Sequence, residues 1–168
     1  MENAISPAQR ELIVTRSFNA PREVVWKAWT DPHHLAKWWG PVGFTAGDCK
    51  MDVRPGGEFS LNLRGPDGKP YPCKGTYQEV TPPKRIILAG AGDCGHPCGS
   101  GVPPHAVVTV TFTEKRGGTQ LTIHTRFNSE LAREAAVKVG YTVGWTQCLE
   151  RLDAVMNTAS LNIGLNAK

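Results

Sequence analysis

The sequence lacks any apolar run near the roughly 20 residues that a membrane-spanning helix requires. Its first residues include Glu2, Arg10 and Glu11 and contain no apolar stretch of the kind found in a secretory signal peptide. The sequence therefore predicts a protein without a membrane span, and we expect it in the cytoplasm.

A concentration of charge of one sign is also missing. The 19 Lys and Arg residues are opposed by 15 Asp and Glu residues, which gives a formal net charge of +4. The basic residues are scattered, with no run longer than pairs such as Lys84-Arg85. Because nucleic-acid-binding proteins concentrate basic residues on one face, the sequence predicts no nucleic-acid partner.

The cysteines do not form the even set that is typical of a disulfide-stabilised secreted domain. There are five, and without a secretory signal the expected state is the reduced thiol. Cys49, Cys73 and Cys148 fall in apolar-patterned segments, so we expect them to be small buried side chains. Cys94 and Cys98 lie in a different setting, treated below.

Common cofactor and catalytic motifs are absent as well. The Gly56-Gly57 pair is not followed by the Lys-Ser/Thr of a phosphate-binding loop and instead indicates a turn that needs positive φ. No strand–turn–helix elbow places a Ser beside a His and an Asp. His124 lies in an alternating strand and would be a polar interior group if it pointed inward. We therefore predict no catalytic residues and no cofactor, and we favour a protein that is not an enzyme.

Sequence features typical of helices lie near both ends of the chain. Pro21 and the Asp31-Pro32 pair mark the starts of two short helices, because proline fits the first helical turn and Asp caps it. A longer helix is predicted over residues 142–158, with residues 158–168 as a tail. Its apolar face is continuous and comprises Trp145, Cys148, Leu149, Leu152, Val155 and Met156.

Between these helices the apolar period changes to two. Residues 11–18 are rich in β-formers, and Phe59, Leu61 and Leu63 alternate with polar residues, as expected of a half-buried strand. Further strands are predicted over residues 71–80, 85–89, 106–114 and 119–127, separated by turn signals. The predicted fold is α+β and occupies one domain over residues 1–168. A curved antiparallel sheet of six or seven strands wraps around the long C-terminal helix, and two short helices follow the first strand.

Several segments in this order resemble a known family. They are residues 21–29, Trp38-Trp39-Gly40-Pro41, Arg54-Pro55-Gly56-Gly57, residues 75–79 with Pro82-Pro83-Lys84-Arg85, and Gly144-Trp145 with Cys148, Leu149 and Leu152. Over about residues 11–157 the chain is similar to the family named after the activator of the heat-shock-protein-90 ATPase. That family belongs to the START-like (SRPBCC) superfamily with the helix-grip fold.

The resemblance implies a deep, mostly apolar cavity between the sheet and the long helix. Members of the superfamily use it for lipids, sterols, polyketides or other hydrophobic molecules. The expected function is binding of a small hydrophobic molecule. A protein–protein module of chaperone-activator type is the alternative, and a cavity enzyme such as a polyketide cyclase or hydrolase is the second alternative. The oligomeric state is left open, with a homodimer among the options.

The cavity-lining residues are predicted from the inward face of each strand and from the elements that close the sheet. They are Trp38, Phe59, Leu61, Tyr77, Val108, Val110, Phe112, Ile123, Trp145 and Leu149. Two alternatives remain open for the tryptophans: Trp38 or Trp39 stacks on a ligand, or both pack the short helices onto the sheet. For strand residues 106–114, either Val108 or Thr109 points inward.

One loop carries residues with metal-ligating chemistry. Residues 90–104 are rich in Gly and Pro and include Cys94, His96 and Cys98, with His105 just beyond. Zinc takes four such ligands, but His96 between two cysteines is crowded, and the resemblance lends the loop no support. We therefore predict no metal, with zinc and a reversible disulfide as the minor alternatives. We also expect Arg54 to pair with an acid such as Glu79.

Overall fold

The computed structural model describes residues 7–40, 43–91 and 105–166. A single 3-10 turn precedes a seven-stranded sheet and four helices. The strands are β1 (Glu11–Phe18), β2 (Thr45–Met51), β3 (Glu58–Arg64), β4 (Pro70–Thr81), β5 (Arg85–Gly90), β6 (Val107–Lys115) and β7 (Gly118–Arg126). The helices are α1 (Arg22–Thr30), α2 (Pro32–Leu35), α3 (Glu130–Lys138) and α4 (Tyr141–Asn166). The predicted α+β class is confirmed.

All neighbouring strands of the sheet are antiparallel. Their order is β1-β7-β6-β5-β4-β3-β2, so that the first strand pairs with the last. Most connections are the short turns that antiparallel neighbours allow. Between β6 and β7, Arg116 and Gly117 have φ of 48° and 80°, the positive values that a tight two-residue hairpin turn requires. The predicted strand number is confirmed at its upper value.

The faces of the sheet follow the alternation in the sequence. In β3, Phe59, Leu61 and Leu63 are buried, and their neighbours are not. In β6, Val108 faces the interior and Thr109 faces outward, which settles the alternative left open above. His124 in β7 also lies on the outer face, where its Nε2 is 3.2 Å from Glu11 Oε2.

Local chemistry explains where the short helices begin. The Asp31 side chain accepts a hydrogen bond from the His33 amide at 2.9 Å, and Pro32 occupies the first helical turn of α2. Desolvation raises the pKa of Asp31, but hydrogen bonds from the His33 and His34 amides and the charges of both histidines together lower it below its usual value. Ser129 caps α3 in the same manner, accepting from the Ala132 amide at 3.1 Å.

Helix α4 covers the inner face of the sheet. Its side chains Trp145, Leu149, Leu152 and Met156 are at most 3% exposed, as predicted from their spacing. The helix extends to Asn166, through residues predicted to be a tail. No helix within the described ranges has the length and apolar character to cross a membrane.

Strand β2 was not predicted individually. Its sequence, Thr-Ala-Gly-Asp-Cys-Lys-Met, contains Gly and Asp, which are depleted in strands. The register with β3 shifts between Gly47 and Cys49, as at a β-bulge, so the simple period of two is interrupted. β2 is an edge strand of the sheet, and there pairing with β3 outweighs weak intrinsic propensity.

Candidate functional site

The ten residues predicted to line a cavity all lie in one interior region. Each is at most 2% exposed, and all belong to a single apolar cluster between the sheet and the helices. Strands β3, β4, β6 and β7 contribute the residues on the sheet side, and the segment after α2 and helix α4 contribute those on the other side. Their common location follows from the inward face of each strand, whereas their role as ligand contacts stays a prediction.

One part of this interior consists of large aromatic rings in mutual contact. We call Trp29, Trp38, Trp39 and Trp145 the tryptophan cluster. Trp29 stacks on Trp145, with ring centroids 5.8 Å apart and an interplanar angle of 17°, and meets Trp39 nearly edge-on at 5.7 Å and 80°. Trp38 contacts both Trp29 and Trp39, at 4.9 and 5.4 Å. Such tilted and edge-on contacts are the favoured arrangements of aromatic rings.

The indole N–H of Trp38 has a clear structural role. It donates to the backbone oxygen of Ala28 at 3.0 Å. In a regular helix that oxygen would accept from the amide four residues later, but that residue is Pro32, which has no N–H. Trp38 therefore supplies the donor that the break between α1 and α2 removes. This contact supports the packing interpretation for Trp38.

The remaining indoles of the cluster differ. The Nε1 atoms of Trp29, Trp39 and Trp145 are buried and find no hydrogen-bond partner among the described residues. The Trp145 N–H interacts electrostatically with the Tyr141 hydroxyl and favours its ionised form, although the two groups do not meet with hydrogen-bond geometry.

A second part of the interior adjoins Trp145 through Tyr141, with ring centroids 6.5 Å apart, and carries hydroxyl and thiol groups. We call Thr125, Tyr141, Cys73 and Cys148 the hydroxyl end. The Thr125 and Tyr141 hydroxyl oxygens are 2.6 Å apart and fully enclosed. Burial raises the pKa of Tyr141, the contacts with Thr125 and Trp145 oppose this rise, and the nearby Cys73 and Cys148 add to it. The phenol is thus held neutral, with its proton available for hydrogen bonding.

Ionisable chemistry is scarce in this interior. Apart from aromatic residues and cysteines, the buried polar side chains of the described chain are Thr119 and Thr125, with no carboxylate, imidazole, ammonium or guanidinium group. Burial also raises the pKa of Tyr77, and Cys49 and Asp52 add to the effect. General acid–base catalysis requires groups that titrate near the working pH. The ionisable groups enclosed among the described interior residues are therefore phenols and thiols.

Helix α4 also fixes the chain that follows the tryptophans. The Gly40 amide contacts Cys148 Sγ at 3.2 Å, and Arg151 Nη1 donates to the oxygens of Gly40 and Phe44 at 2.8 and 3.1 Å. Gly40 has a φ of +117°, and a Cβ there would lie 3.1 Å from Leu63. Arg151 is not among the residues of the predicted apolar face of this helix, and the tertiary structure shows that it fixes the chain at Gly40 and Phe44.

The predicted Arg54–Glu79 pair is wrong. Arg54 Nε instead lies 2.8 Å from Asp52 Oδ2, while Glu79 pairs with Arg85 across the β4–β5 hairpin. Asp52 is two residues from Arg54 and reaches it without crossing a strand. The glycine turn itself is as predicted: Gly56 has a φ of +86°, and a Cβ on Gly57 would lie 1.9 Å from the Asp52 oxygen.

Of the four candidate metal ligands, the structure describes only His105. Cys94, His96 and Cys98 lie outside the described residues. His105 is exposed, with a φ of 61°. Within the described ranges, no group of three or more His, Cys, Asp or Glu side chains is arranged to hold a metal ion. The metal prediction therefore stays untested at the loop itself.

Described residues also form depressions on the protein surface. One of about 650 Å³ lies beside the β6–β7 turn and is lined by residues that include Asn19, Lys115 and Arg116. Two others, of about 480 and 180 Å³, adjoin β2 and β3. None of the ten predicted cavity residues lines these three depressions.

Sequence reasoning did not select Trp29, Thr125 or Tyr141 as site residues. Trp29 was visible as part of the apolar face of α1, and its position in the cluster depends on α1 folding against α4. Thr125 lies on the inward alternation of β7, a signal that could have identified it. Tyr141 starts α4, and a helix start gives no indication of which way its first side chain points.

Comparisons with known proteins agree with this architecture. Residues 19–157 match the family model described as Activator of Hsp90 ATPase homolog 1-like protein. A crystal structure of a protein from Nitrosomonas europaea is 26% identical, with a TM-score of 0.81 over 92% of this chain and 98% of that one. One from Mycobacterium smegmatis is also 26% identical, with a TM-score of 0.78 over 95% and 98% of the two chains.

More distant structures share the fold. The AHSA1-like protein from Aeromonas hydrophila is 20% identical, with a TM-score of 0.68 over 90% of this chain and 94% of that chain. No curated protein matches the sequence.

Proposed function

This chain belongs to the family of Activator of Hsp90 ATPase homolog 1-like proteins, and from that premise we propose that it binds a small hydrophobic molecule between the sheet and α4. The SRPBCC helix-grip fold of this family typically forms a hydrophobic ligand cavity. The residues proposed to contact the ligand are the ten predicted above, together with the hydroxyl end.

One observation supports the proposal most directly: a continuous apolar wall encloses only a few polar groups. Ligand sites are generally lined by apolar and aromatic side chains with a small number of placed polar groups. Here the apolar wall spans β3 to β7 and α4, and the Thr125–Tyr141 hydroxyl pair is the polar feature. A core that served stability alone would gain little from two buried hydroxyl groups.

The hydroxyl end is the proposed place of the ligand. Cys73, Thr125 and Cys148 are small inward-facing residues, whereas the tryptophan cluster consists of four indoles in mutual contact. These interior side chains are at most 5% exposed, so binding requires side chains to move aside. We therefore expect affinity to be limited by the cost of opening a packed interior.

The test uses a neutral fluorophore, N-phenyl-naphthylamine, whose emission rises in apolar surroundings. We expect saturable binding and an increase in melting temperature that grows with probe concentration, as linkage requires. Cys73→Phe should fill the site and abolish binding. Lys74→Phe, one residue along β4 and exposed on the outer face, is the matched control and should bind as the unmodified protein does.

Retained binding in Cys73→Phe would place the probe elsewhere. Absence of saturable binding in the unmodified protein would contradict the proposal. Each variant's melting temperature without probe shows whether it is folded.

A second candidate is a protein–protein module of chaperone-activator type. It is favoured by apolar side chains that remain exposed on α3 and at the start of α4, among them Leu131 at 77% and Val143 at 60%. A protein that bound no apolar probe but lost association with a partner after Leu131→Ser would support this module instead. Among the described residues, the buried interior contains no carboxylate or imidazole group that would favour the cavity-enzyme alternative.

We further propose a cytoplasmic location. The support is compositional: the sequence has five cysteines, an odd number, and thiols stay reduced in that compartment. Native mass spectrometry of protein purified from its own host would report a retained ligand and the oligomeric state, including a homodimer, in one measurement.

A further inference from the structure

The surface depression beside the β6–β7 turn differs in charge from the other two. We call it the hairpin depression; it is lined by residues 17–19, 115, 116, 118 and 119. Its ionisable lining residues are Lys115 and Arg116, both basic. The depression of about 480 Å³ instead combines one lysine with two carboxylates. In the smallest one, the arginine donates to a backbone oxygen at 3.2 Å. The hairpin depression is therefore the most positive of the three.

Both positive charges of the hairpin depression are available to a ligand. Within the described ranges, the side chains of Lys115 and Arg116 are exposed and form no salt bridge or hydrogen bond. The preceding residue, Glu114, has a cation of its own, because its Oε2 lies 3.9 Å from Arg22 Nη2. Adjacent like charges repel each other, and an anion bound between them would relieve that repulsion.

A second, independent observation comes from the backbone of the turn. Arg116 has a φ of 48°, in the left-handed region that Gly, Asn and Asp adopt most readily. It is the first residue of a two-residue hairpin loop and precedes Gly117, a position at which Asn is strongly preferred. Backbone strain of this kind is concentrated at functional sites. The strained residue here is one that places a guanidinium group in the hairpin depression.

Close contacts between the end of β1 and the hairpin form the wall of this depression. The Thr119 hydroxyl donates to the Ala20 oxygen at 2.7 Å. A Cβ on Gly118 would lie 2.5 Å from the Phe18 oxygen, so only glycine allows this approach. These contacts hold residues 17–19 beside the two cations. The same segment adds a hydroxyl group and a side-chain amide as neutral hydrogen-bonding groups.

We propose that the hairpin depression binds a phosphate monoester, with its phosphate held by Arg116 and Lys115. The guanidinium fork matches the geometry of phosphate, and the ammonium group adds a point charge. The volume of about 650 Å³ lies in the range of small-molecule sites. It leaves room for the rest of the ester beside Ser17 and Asn19. None of the ten predicted cavity residues lines this depression, so the proposal is independent of the interior ligand.

The probe is glycerol 3-phosphate, and glycerol is its uncharged counterpart. In an NMR titration, the amide resonances of Gly117 and Gly118 should shift saturably with glycerol 3-phosphate and stay unchanged with glycerol. Lys115→Gln and Arg116→Asn should each weaken binding about tenfold, the effect of losing one charge-assisted hydrogen bond. Arg116→Asn should preserve or raise the melting temperature, because Asn suits the positive φ. Its loss of binding would then not be caused by unfolding.

A double variant serves as the matched control. Lys50→Gln with Lys74→Gln removes as much charge as Lys115→Gln with Arg116→Asn, but from exposed positions on β2 and β4. The control should bind glycerol 3-phosphate as the unmodified protein does. Equal losses in the two double variants would show attraction to net charge alone and would overturn the proposal.

Vesicles distinguish the two sources of such a group. Phosphatidic acid in phosphatidylcholine vesicles presents a phosphate monoester on a lipid. Co-sedimentation that is lost in Lys115→Gln with Arg116→Asn, and retained in the control, would identify a lipid headgroup. Binding of glycerol 3-phosphate without co-sedimentation would identify a soluble ester. If neither probe binds, the proposal is wrong, and the proposed function of the interior is unaffected.

Discussion

The tryptophan cluster and the hydroxyl end differ in the contacts that hold their side chains in place. In the tryptophan cluster every ring touches at least two others, with centroids 4.9 to 5.8 Å apart, so shape is determined by mutual packing. At the hydroxyl end three of the four side chains are small, and Tyr141 is held by a hydrogen bond of 2.6 Å to Thr125 and by a ring contact with Phe127. The difference predicts that the tryptophan cluster maintains the fold and that the proposed ligand would be accommodated at the hydroxyl end.

The largest expected effect tests whether the tryptophan cluster maintains the fold, by removing the ring of Trp145. Trp145→Ala should destabilise the protein by about 3–5 kcal/mol, because it deletes a fully buried ring that stacks on Trp29 and leaves a cavity. Val143→Ala on the same helix is 60% exposed and should change stability by less than about 0.5 kcal/mol. Urea denaturation monitored by circular dichroism measures both. A small effect of Trp145→Ala would show that the cluster does not support the fold.

A smaller effect is expected at the hydroxyl end. Tyr141→Phe keeps the ring and removes the partner of Thr125, which should cost about 1–3 kcal/mol because a buried hydroxyl is left unpaired. Adding Thr125→Val removes the hydroxyl that Tyr141→Phe leaves unpaired. The double variant should therefore lose less stability than the sum of the losses in the two single variants. Additive costs in the denaturation cycle would mean that the two hydroxyls act independently.

Alkaline pH should lower the stability of the protein through the buried tyrosines, one of which lies at the hydroxyl end. Tyrosine in an unfolded chain has a pKa near 10, and burial raises the pKa of Tyr141 and Tyr77 in the folded protein. The unfolded state therefore loses these protons first. Stability should be fully present below pH of about 10 and should decrease above it by at most about 1.4 kcal/mol per pH unit for each group. Tyr141→Phe should lessen this slope, and an unchanged slope would show that the Tyr141 pKa is not raised.

The smallest effect compares two rings within the cluster. Trp38→Phe and Trp39→Phe remove the same volume from sites of equal burial. Only the first change also leaves the Ala28 oxygen without its donor, so it should cost more, by about 1 kcal/mol. Thermal denaturation of the two variants gives the difference. Equal costs would show that the Trp38–Ala28 bond contributes nothing, and the distinction between paired and unpaired indoles would lose its support.

The sequence predicted most of the fold because its signals were local. Alternation in β3, the Asp31-Pro32 start of α2 and the apolar spacing in α4 each depend on a few neighbouring residues. Strand β2 was missed because its pairing with β3 and its irregular register outweigh a composition that is poor in β-formers. The Arg54–Glu79 prediction was wrong because a nearer acid, Asp52, was available.

The candidate site was predictable only in part. The inward residues of the strands followed from alternation, and all ten predicted cavity residues are buried. Hydrogen-bond satisfaction could not be predicted, because it depends on which backbone oxygen a ring meets after folding. Trp38 and Trp39 are adjacent in sequence and equally buried, yet only Trp38 reaches an acceptor among the described residues.

The sheet order has a consequence for the synthesis of this protein. Strand β1 is made first, but its partner is β7, and Glu11 aligns with Arg126. While β2 to β6 emerge from the ribosome and can pair with one another by hairpins, β1 has no strand to join. Helix α4 follows β7 and α3, so the apolar face of the growing sheet is covered only when the C-terminal end of the chain appears. Long-range pairing of this kind slows folding and leaves apolar surface of the sheet exposed until α4 has been synthesised.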